Sequence, residues 1–483
     1  MINLVPDILS EIMSRLPPNI NQKFTFAQVS RYWREVALQD HLFWSSFTGG
    51  PTKQECYRVP MLLEHCGNAP LHVELHLNSG HIVDWHADAL KALVPYATRI
   101  ETLALRFWVY STYSLPDSTT GPLLNSGLEF PALRTLRLEG PTWGRRPSLF
   151  FSAPGLRTLD VERFTVEPAS WRTILQPSLE TIRMHEAPGV GIQAILDVFE
   201  RCPNATSIAL DAGGGYDTEH EDEFFEAFRR QRPLAPALRE LKLGTSNPDL
   251  GRILKAAFSD VVLPVLSACL YNSDVDVLSE ALLPGVGPLV YFELASGAQV
   301  VELRDDAGLI RRFECWNDDS SFEMDWTWDY LCEHYNLHKT VREIRTAHWE
   351  DLADAVERIP PQLPDGITFV YPSHWHMRWP LSAGEEDQEN EDITKTLSIA
   401  GLSRIEFVPD ADFVGDCPQM VLKTVLCVLA HIESLPGRDI KVCIHGGILL
   451  TADSEVDALE VFRAAVLQKT WTMCSQCLER RLH

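Results

Sequence analysis

The chain has 483 residues, 45% of them apolar and 23% charged, which is the composition of an ordinary folded protein with a large core. Its 67 acidic and 42 basic residues give a net charge of −25. Such a surface repels phosphate backbones and anionic lipid headgroups, so the charge argues against nucleic-acid binding and against a membrane-surface role.

Cysteine usage and apolar runs indicate an intracellular protein. Eleven cysteines are scattered singly, without the spacing of a secreted disulfide framework, so reduced thiols fit best. The N-terminus lacks a basic segment followed by an apolar signal core. The longest apolar stretches, 261–270 and 421–432, are too short for a bilayer or are interrupted by Lys423. We therefore predict a cytoplasmic or nuclear protein without a membrane-spanning segment.

The first predicted elements are short amphipathic helices within residues 4–47. Pro6 and Asp7 suit a helix start, because proline presets φ and a carboxylate complements the helix dipole. Pro17 and Pro18 end this helix. Its apolar rows are Ile8, Leu9, Ile12, Met13 and Leu16. A unit of this size cannot bury all its apolar surface alone, so we expect a partner to cover the rest.

A second helix is predicted from about Thr25 to Leu38, and Leu42, Phe43 and Trp44 follow it. Its apolar side carries Phe26, Val29, Trp33, Val36 and Ala37. One interpretation is that these helices only cap the domain behind them, since repeat domains need end caps.

The order of residues in LVPDILSEIMSRLPP (4–18), VSRYWREVA (29–37) and LFWSS (42–46) resembles the F-box. It is most similar to the F-box of fungal proteins that carry irregular leucine-rich-repeat segments behind it. The resemblance implies three short helices over residues 1–48 that dock on the small adaptor of the SCF ubiquitin ligase. Carried over by motif position, the adaptor contacts are Leu4, Pro6, Ile8, Leu9, Ile12, Leu16, Pro17, Val29 and Trp33.

From about residue 70 a proline or glycine followed by L-x-x-L-x-L, or a variant of it, keeps returning. Strong copies occupy 131–138, 154–161, 177–184, 203–210 and 236–243. Their penultimate apolar residues are Leu136, Leu159, Ile182, Ile208 and Leu241, at steps of 23, 23, 26 and 33 residues. Weaker copies occupy 99–105, 264–271, 287–294, 340–346, 366–371, 402–408 and 438–444. This spacing is typical of a leucine-rich repeat that tolerates loop insertions.

Helical periodicity recurs between the repeats, in 192–199, 250–257, 352–359 and 421–432. Strand followed by helix, repeated, predicts an α/β fold: an irregular solenoid with a curved parallel sheet inside and helices outside. The alternative, a doubly wound domain, predicts longer all-apolar strands and a phosphate-binding glycine loop, and the sequence has neither.

The predicted domains are the F-box, 1–48, and the solenoid, 53–483, separated by the Gly- and Pro-containing segment 48–52. Two insertions are predicted within the solenoid. Residues 298–316 alternate around Asp305-Asp306-Ala307-Gly308 as a hairpin does, and the acidic run 384–392 predicts a solvated loop.

Searching the sequence for catalytic and metal-binding motifs gives no site. The G-x-S-x-G, G-x-x-x-x-G-K-[ST] and H-E-x-x-H motifs are absent. Cys474 and Cys477 have the spacing of half a zinc site, but a second pair of ligands is missing. His374 and His376 alternate with tryptophans and fit a packed or recognition segment better than a metal site. We predict no cofactor and no metal.

The resemblance implies a non-catalytic substrate-recognition subunit of an SCF-type cullin-RING ubiquitin ligase. Its partners would be the adaptor, cullin through the adaptor, and a protein substrate held by the repeat domain. Charged residues on the predicted strand face mix both signs, so they do not by themselves identify a substrate. Two alternatives stay open: an F-box scaffold for protein–protein interactions outside a ligase, and an enzyme with its site in the repeat loops.

Overall fold

The computed structural model describes residues 5–77, 84–107, 117–140, 149–164, 168–185, 192–212, 237–245, 263–270, 283, 285–295, 300–315, 337–346, 366–371, 397–398, 402–409, 419–421, 426, 429–430, 432–433, 439–444, 449–451, 458–469 and 471–473. The chain is a mixed α/β protein in which short N-terminal helices precede long, mostly parallel β-structure. It divides into two compact units, Met1–Leu263 and Pro264–His483.

The helices of the first unit are α1 Pro6–Arg15, α2 Ile20–Gln28, α3 Arg31–Gln39, α4 His41–Ser45, α5 Lys53–His65, α6 Asp84–Leu93, α7 Asp117–Leu124, α8 Pro168–Ile174 and α9 Ile192–Arg201. A 3-10 helix, Val94–Arg99, follows α6. The N-terminal region therefore has four short helices, α1–α4, where the F-box resemblance implies three.

Local capping explains why the N-terminal helices are short. The side chains of Asn19, Ser30 and Asp40 accept hydrogen bonds from the first backbone N–H groups of α2, α3 and α4. Thr52 and Glu55 form a reciprocal capping box at the start of α5. Because each cap satisfies donors that would otherwise have no partner, the chain can restart a helix every ten residues or so.

The strands of the first unit are β1 Ser46–Gly49, β2 Leu71–His76, β3 Ile100–Arg106, β4 Leu128–Glu129, β5 Thr135–Glu139, β6 Phe151–Ser152, β7 Thr158–Glu162, β8 Thr181–His185, β9 Ser207–Ala212 and β10 Glu240–Thr245. A parallel sheet joins β1, β2, β3, β5, β7, β8, β9 and β10 in that order. The short strands β4 and β6 pair separately. Neighbours in the sheet follow chain order, so these strands lack the order reversal of a doubly wound domain.

The register of this sheet confirms the repeat alignment. Leu136 pairs with Leu159, Leu159 with Ile182, Ile182 with Ile208 and Ile208 with Leu241. All five side chains are fully buried. The predicted row of penultimate residues is therefore one continuous aliphatic row in the core, and each strand buries its apolar face against the next.

The second unit contains β11 Val265–Leu270, β12 Leu289–Ala295, β13 Val300–Asp305, β14 Ile310–Cys315, β15 Glu343–Thr346, β16 Gly366–Tyr371, β17 Leu397–Ser398, β18 Arg404–Pro409, β19 Gln419–Val421, β20 Ile432–Glu433, β21 Lys441–Ile444, β22 Leu449–Thr451 and β23 Thr472–Met473. Its helices with described ends are α10 Leu337–Thr340 and α11 Ala458–Gln468. The main ladder runs β11, β14, β13, β12, β15, β16, β18, β21, β23. The β12–β13 and β13–β14 pairs are antiparallel, whereas the others are parallel.

The predicted hairpin 298–316 is present as β13 and β14, and β12 extends it to a three-stranded antiparallel segment. Two predicted helices had wrong bounds. The helix predicted from about Thr25 to Leu38 is divided at Val29 and Ser30 into α2 and α3. The helix predicted over 421–432 has Val421 in β19 and Ile432 in β20, each paired with another short strand. Leu4, the stretches 250–257 and 352–359, His374, His376, the run 384–392, Cys474 and Cys477 lie outside the described residues. In the part that the structure describes, no helix is long and apolar enough to cross a membrane.

We expect Asp305→Ala to destabilise the turn that joins β13 to β14. The buried carboxylate of Asp305 accepts hydrogen bonds from the backbone N–H groups of Gly287, Ala307 and Leu309 at 2.9, 3.0 and 2.8 Å. Losing this acceptor leaves three partly buried backbone donors unpaired, which costs about 1–3 kcal/mol. Urea unfolding of the full chain measures the loss, and Asp306→Ala, at the exposed neighbouring position, is the matched control. Equal stability of the two variants would contradict the assigned role.

Candidate interaction surface of the N-terminal helices

The core of the helical unit α1–α4 is built around Trp44. This side chain is 1% exposed, and its indole Nε1–H donates to the carbonyl oxygen of Ala37 at 2.7 Å. The rings of Phe24, Phe43 and His65 lie 5.6, 4.9 and 5.5 Å from its ring. The helices therefore share a packed aromatic core with α5, which fixes their positions.

Lys23 is an unusual member of this core. Its ammonium donates to the carbonyl oxygen of Phe43 and lies 4.4 Å from the centre of the Phe43 ring. Burial lowers the pKa of Lys23 to about 8, although Cys66 and Asp40 act in the opposite direction. Lys23 thus joins α2 to α4 through one charge-assisted hydrogen bond and one cation–π contact.

The helical unit also caps the first edge of the sheet. The backbone N–H of Thr48 in β1 donates to the carbonyl oxygen of Pro18 at 2.7 Å, on the side opposite β2. Ile20 is fully buried against Gly49, where an added Cβ would lie 2.7 Å from its Cγ2. The capping role weighed from the sequence is therefore real, but it uses only one side of the helices.

Other sides of these helices leave large apolar side chains exposed. Ile8 in α1 is 48% exposed, Val29 at the end of α2 is 59% exposed, and Leu42 in α4 is 69% exposed. Val5 and Leu38 are exposed as well. Five such residues within 38 positions of a well-packed unit are apolar surface that the described chain does not cover.

The motif-derived contact residues fall into different environments. Ile8, Pro17 and Val29 are exposed, and Ile12, Leu16 and Trp33 are half-buried. Leu9 is fully buried, so its side chain belongs to the core of the unit. Pro6 is the first residue of α1. The ring of Trp33 lies 4.6 Å from that of Phe26, which leaves only part of its surface for a partner.

Sequence reasoning missed Val5, Leu38 and Leu42 as exposed apolar positions. Leu42 precedes Phe43 and Trp44, which are buried, and residue type alone cannot distinguish the three. The available signal was Asp40, whose cap of α4 sets which residues of the next turn face inward.

An open groove of about 570 Å³ adjoins these helices. Its lining residues are Ser10, Tyr32, Glu35, Val36, Gln39, Asp40, His41 and Leu42. Ser10 is two positions after Ile8, which places the two side chains about 200° apart around α1. The groove therefore lies on the opposite flank of α1 from Ile8. Of the five exposed apolar residues named above, Leu42 also lines the groove.

The solvent-facing side of the first sheet carries connected ion pairs. Arg106 contacts Glu74 at 2.9 Å and Glu139 at 3.3 Å. Arg137 contacts Glu139, Asp160 and Glu162 at 3.6, 3.7 and 3.3 Å. Arginine and carboxylate side chains thus form one connected set of ion pairs across four strands, and this face of the sheet is polar.

The pKa values of two carboxylates on this face, Glu74 and Asp160, are shifted in opposite directions. Burial opposes ionisation of Glu74, but hydrogen bonds from His76 and Thr48 and the nearby Arg106 hold its pKa below the usual value. Burial raises the pKa of Asp160, although Arg137 and Arg183 act against it. In the described residues, no group of three His, Cys, Asp or Glu side chains could hold a metal ion.

No protein-family model matches the chain, and no curated protein matches it either. The structure itself shows short N-terminal helices followed by a long, mostly parallel sheet.

Proposed function

We propose that this chain is the substrate-recognition subunit of an SCF-type ubiquitin ligase, with residues 1–48 as an F-box that binds the adaptor. The observation that carries the proposal is the exposure of Ile8 and Val29, two motif positions of the F-box, on helices that are already packed around a buried core. Exposed aliphatic side chains on a rigid helical platform are what a protein partner can bury with a gain in free energy.

In this role the chain performs no chemistry itself. The adaptor would join the helices to cullin, and the repeat domain would hold a protein substrate beside the ubiquitin-carrying enzyme. Tethering raises the effective concentration of substrate lysines at the charged thioester. The polar, ion-paired face of the first sheet favours a polar substrate surface over an apolar one.

The test is adaptor binding by a full-length double variant, Ile8→Asp with Val29→Asp. We expect at least a 100-fold loss of affinity, since two exposed aliphatic contacts become charges that a partner would have to desolvate. Ile12 and Trp33 are poorer choices, because both are half-buried and their replacement would also disturb the helical unit.

The control is Leu467→Asp, which changes another exposed aliphatic residue, in the second unit. Circular dichroism and thermal melting should match the parent chain for both proteins. Adaptor binding by the double variant with parental affinity would refute the assigned surface. Capture of the adaptor without cullin would instead favour a scaffold acting outside a ligase.

A further inference from the structure

We infer that α1–α4 and the adjoining edge of the sheet open as one cooperative unit, so that a protein bound to the helices also stabilises β1, α5 and β2. Only the identity of that bound protein rests on the proposed function. The mechanical coupling follows from how the two parts are joined.

Strand β1 is shared by both parts. Its residues Ser46–Gly49 pair in parallel with residues 72–75 of β2. On its other side the backbone N–H of Thr48 donates to the carbonyl oxygen of Pro18, and Asn19 forms an isolated bridge to Thr48. If the helices left, the sheet edge at β1 would be uncovered and the Thr48 N–H would lose its acceptor.

A second joint links α2 to α5. The Asn21 amide donates to the Glu55 carboxylate, and the Arg58 guanidinium donates to the Asn21 side-chain oxygen. Arg58 also lies 5.1 Å from the centre of the Phe24 ring. Glu55 is buried and closes the capping box of α5 with Thr52. Separating α2 from α5 would therefore expose a carboxylate that also holds the start of α5.

A third joint passes through the core. Trp44 of α4 contacts the ring of His65 in α5, and the Cys66 thiol donates to the carbonyl oxygen of Trp44 at 3.3 Å. Trp44 belongs to the helices and Cys66 follows α5, yet both side chains are buried in the same core. Since backbone, polar and aromatic joints all cross the boundary, opening of one part exposes the other.

The test is hydrogen exchange, followed by mass spectrometry, on the full chain carrying Ile20→Ala. This change leaves a cavity between α2 and Gly49. We expect exchange to accelerate by the same factor, at least about tenfold, in residues 6–39 and in 46–65, while β7–β9 keep their parental rates. Gln28→Ala, in the same helix as Ile20 but exposed, should change neither segment.

Arg58→Ala tests the coupling from α5, and it replaces Ile20→Ala as the test variant if Ile20→Ala fails to fold. It should accelerate exchange in α2 as much as in α5. Acceleration confined to the mutated side, in either variant, would overturn the inference.

Addition of the adaptor separates this inference from the proposed function. Binding should slow exchange in residues 46–65 and 71–76 as well as in 6–39. Slowing confined to 6–39 would overturn the coupling. Absence of any adaptor binding would refute the proposed function, while the two variants would still decide the coupling.

Discussion

Trp44→Ala should lower the free energy of unfolding of the first unit by about 3–5 kcal/mol. The substitution leaves a cavity where the indole meets Phe24, Phe43 and His65. It also leaves the carbonyl oxygen of Ala37 without the donor that it has at 2.7 Å. Urea unfolding followed by circular dichroism measures the loss, and hydrogen exchange locates it.

Tyr57→Ala is the matched aromatic control. Tyr57 is 55% exposed on α5, so its removal should change stability by no more than about 0.5 kcal/mol. Trp44→Phe should fall between the two, because it keeps part of the aromatic packing and loses the indole donor. A Trp44→Ala protein as stable as Tyr57→Ala would show that the helical core is not organised around this side chain.

His86→Leu should remove an acid-sensitive component of stability. His86 in α6 is fully buried, and neither ring nitrogen has a hydrogen-bond partner among the described residues. Its ring centre lies 3.7 Å from that of Trp85. Burial lowers the pKa of His86 to about 4, from an ordinary value of 6.5, because the imidazolium would lose its hydration there.

The direction of the pH effect follows from proton binding. Between pH 6.5 and 4 the unfolded chain binds the proton at His86 and the folded chain does not, so acid favours unfolding. The wild-type protein should therefore lose about 3 kcal/mol at this residue as the pH falls through that window, and keep the full contribution above pH 6.5. The leucine variant should lack this loss.

The comparison uses unfolding free energies of the two proteins at pH 7, 5.5 and 4. Carboxylates such as Glu74 titrate in both, so the difference between the two curves isolates His86. His72→Leu, at an exposed position of β2, is the control and should follow the wild-type curve. Parallel curves for wild type and His86→Leu would contradict a neutral buried imidazole.

Much of the fold was predictable because each repeat places its apolar residues at the same spacing in the sequence. All five strong copies and the seven weaker ones coincide with strands, and the aligned leucine and isoleucine positions are register partners. Strand β2 escaped notice because LHVELH, although it follows Pro70, lacks the L-x-x-L spacing. The division between the two units at 263–264 was not predicted, because no segment containing both glycine and proline marks it in the sequence. The domain boundary drawn at 48–52 stays a prediction.

The candidate surface was predictable only in part. Helical spacing shows that Ile8, Leu9 and Ile12 lie near one another, but not which of them the unit buries. That choice depends on tertiary contacts, because α1 packs through Leu9 and Met13 and leaves Ile8 outside. The ion pairs that join Arg106 and Arg137 to neighbouring strands were likewise hidden, since those partners lie more than 20 residues away in the sequence.

The evenly registered row from Leu136 to Leu241 has a consequence for how the protein can change over evolutionary time. Leu136, Leu159 and Ile182 are spaced by the same 23 residues, so loss or duplication of one such segment would leave the row continuous. Each strand touches only its two neighbours, and the sheet has no centre that every segment must reach. Its length is therefore an adjustable trait, which selection can extend or shorten one module at a time.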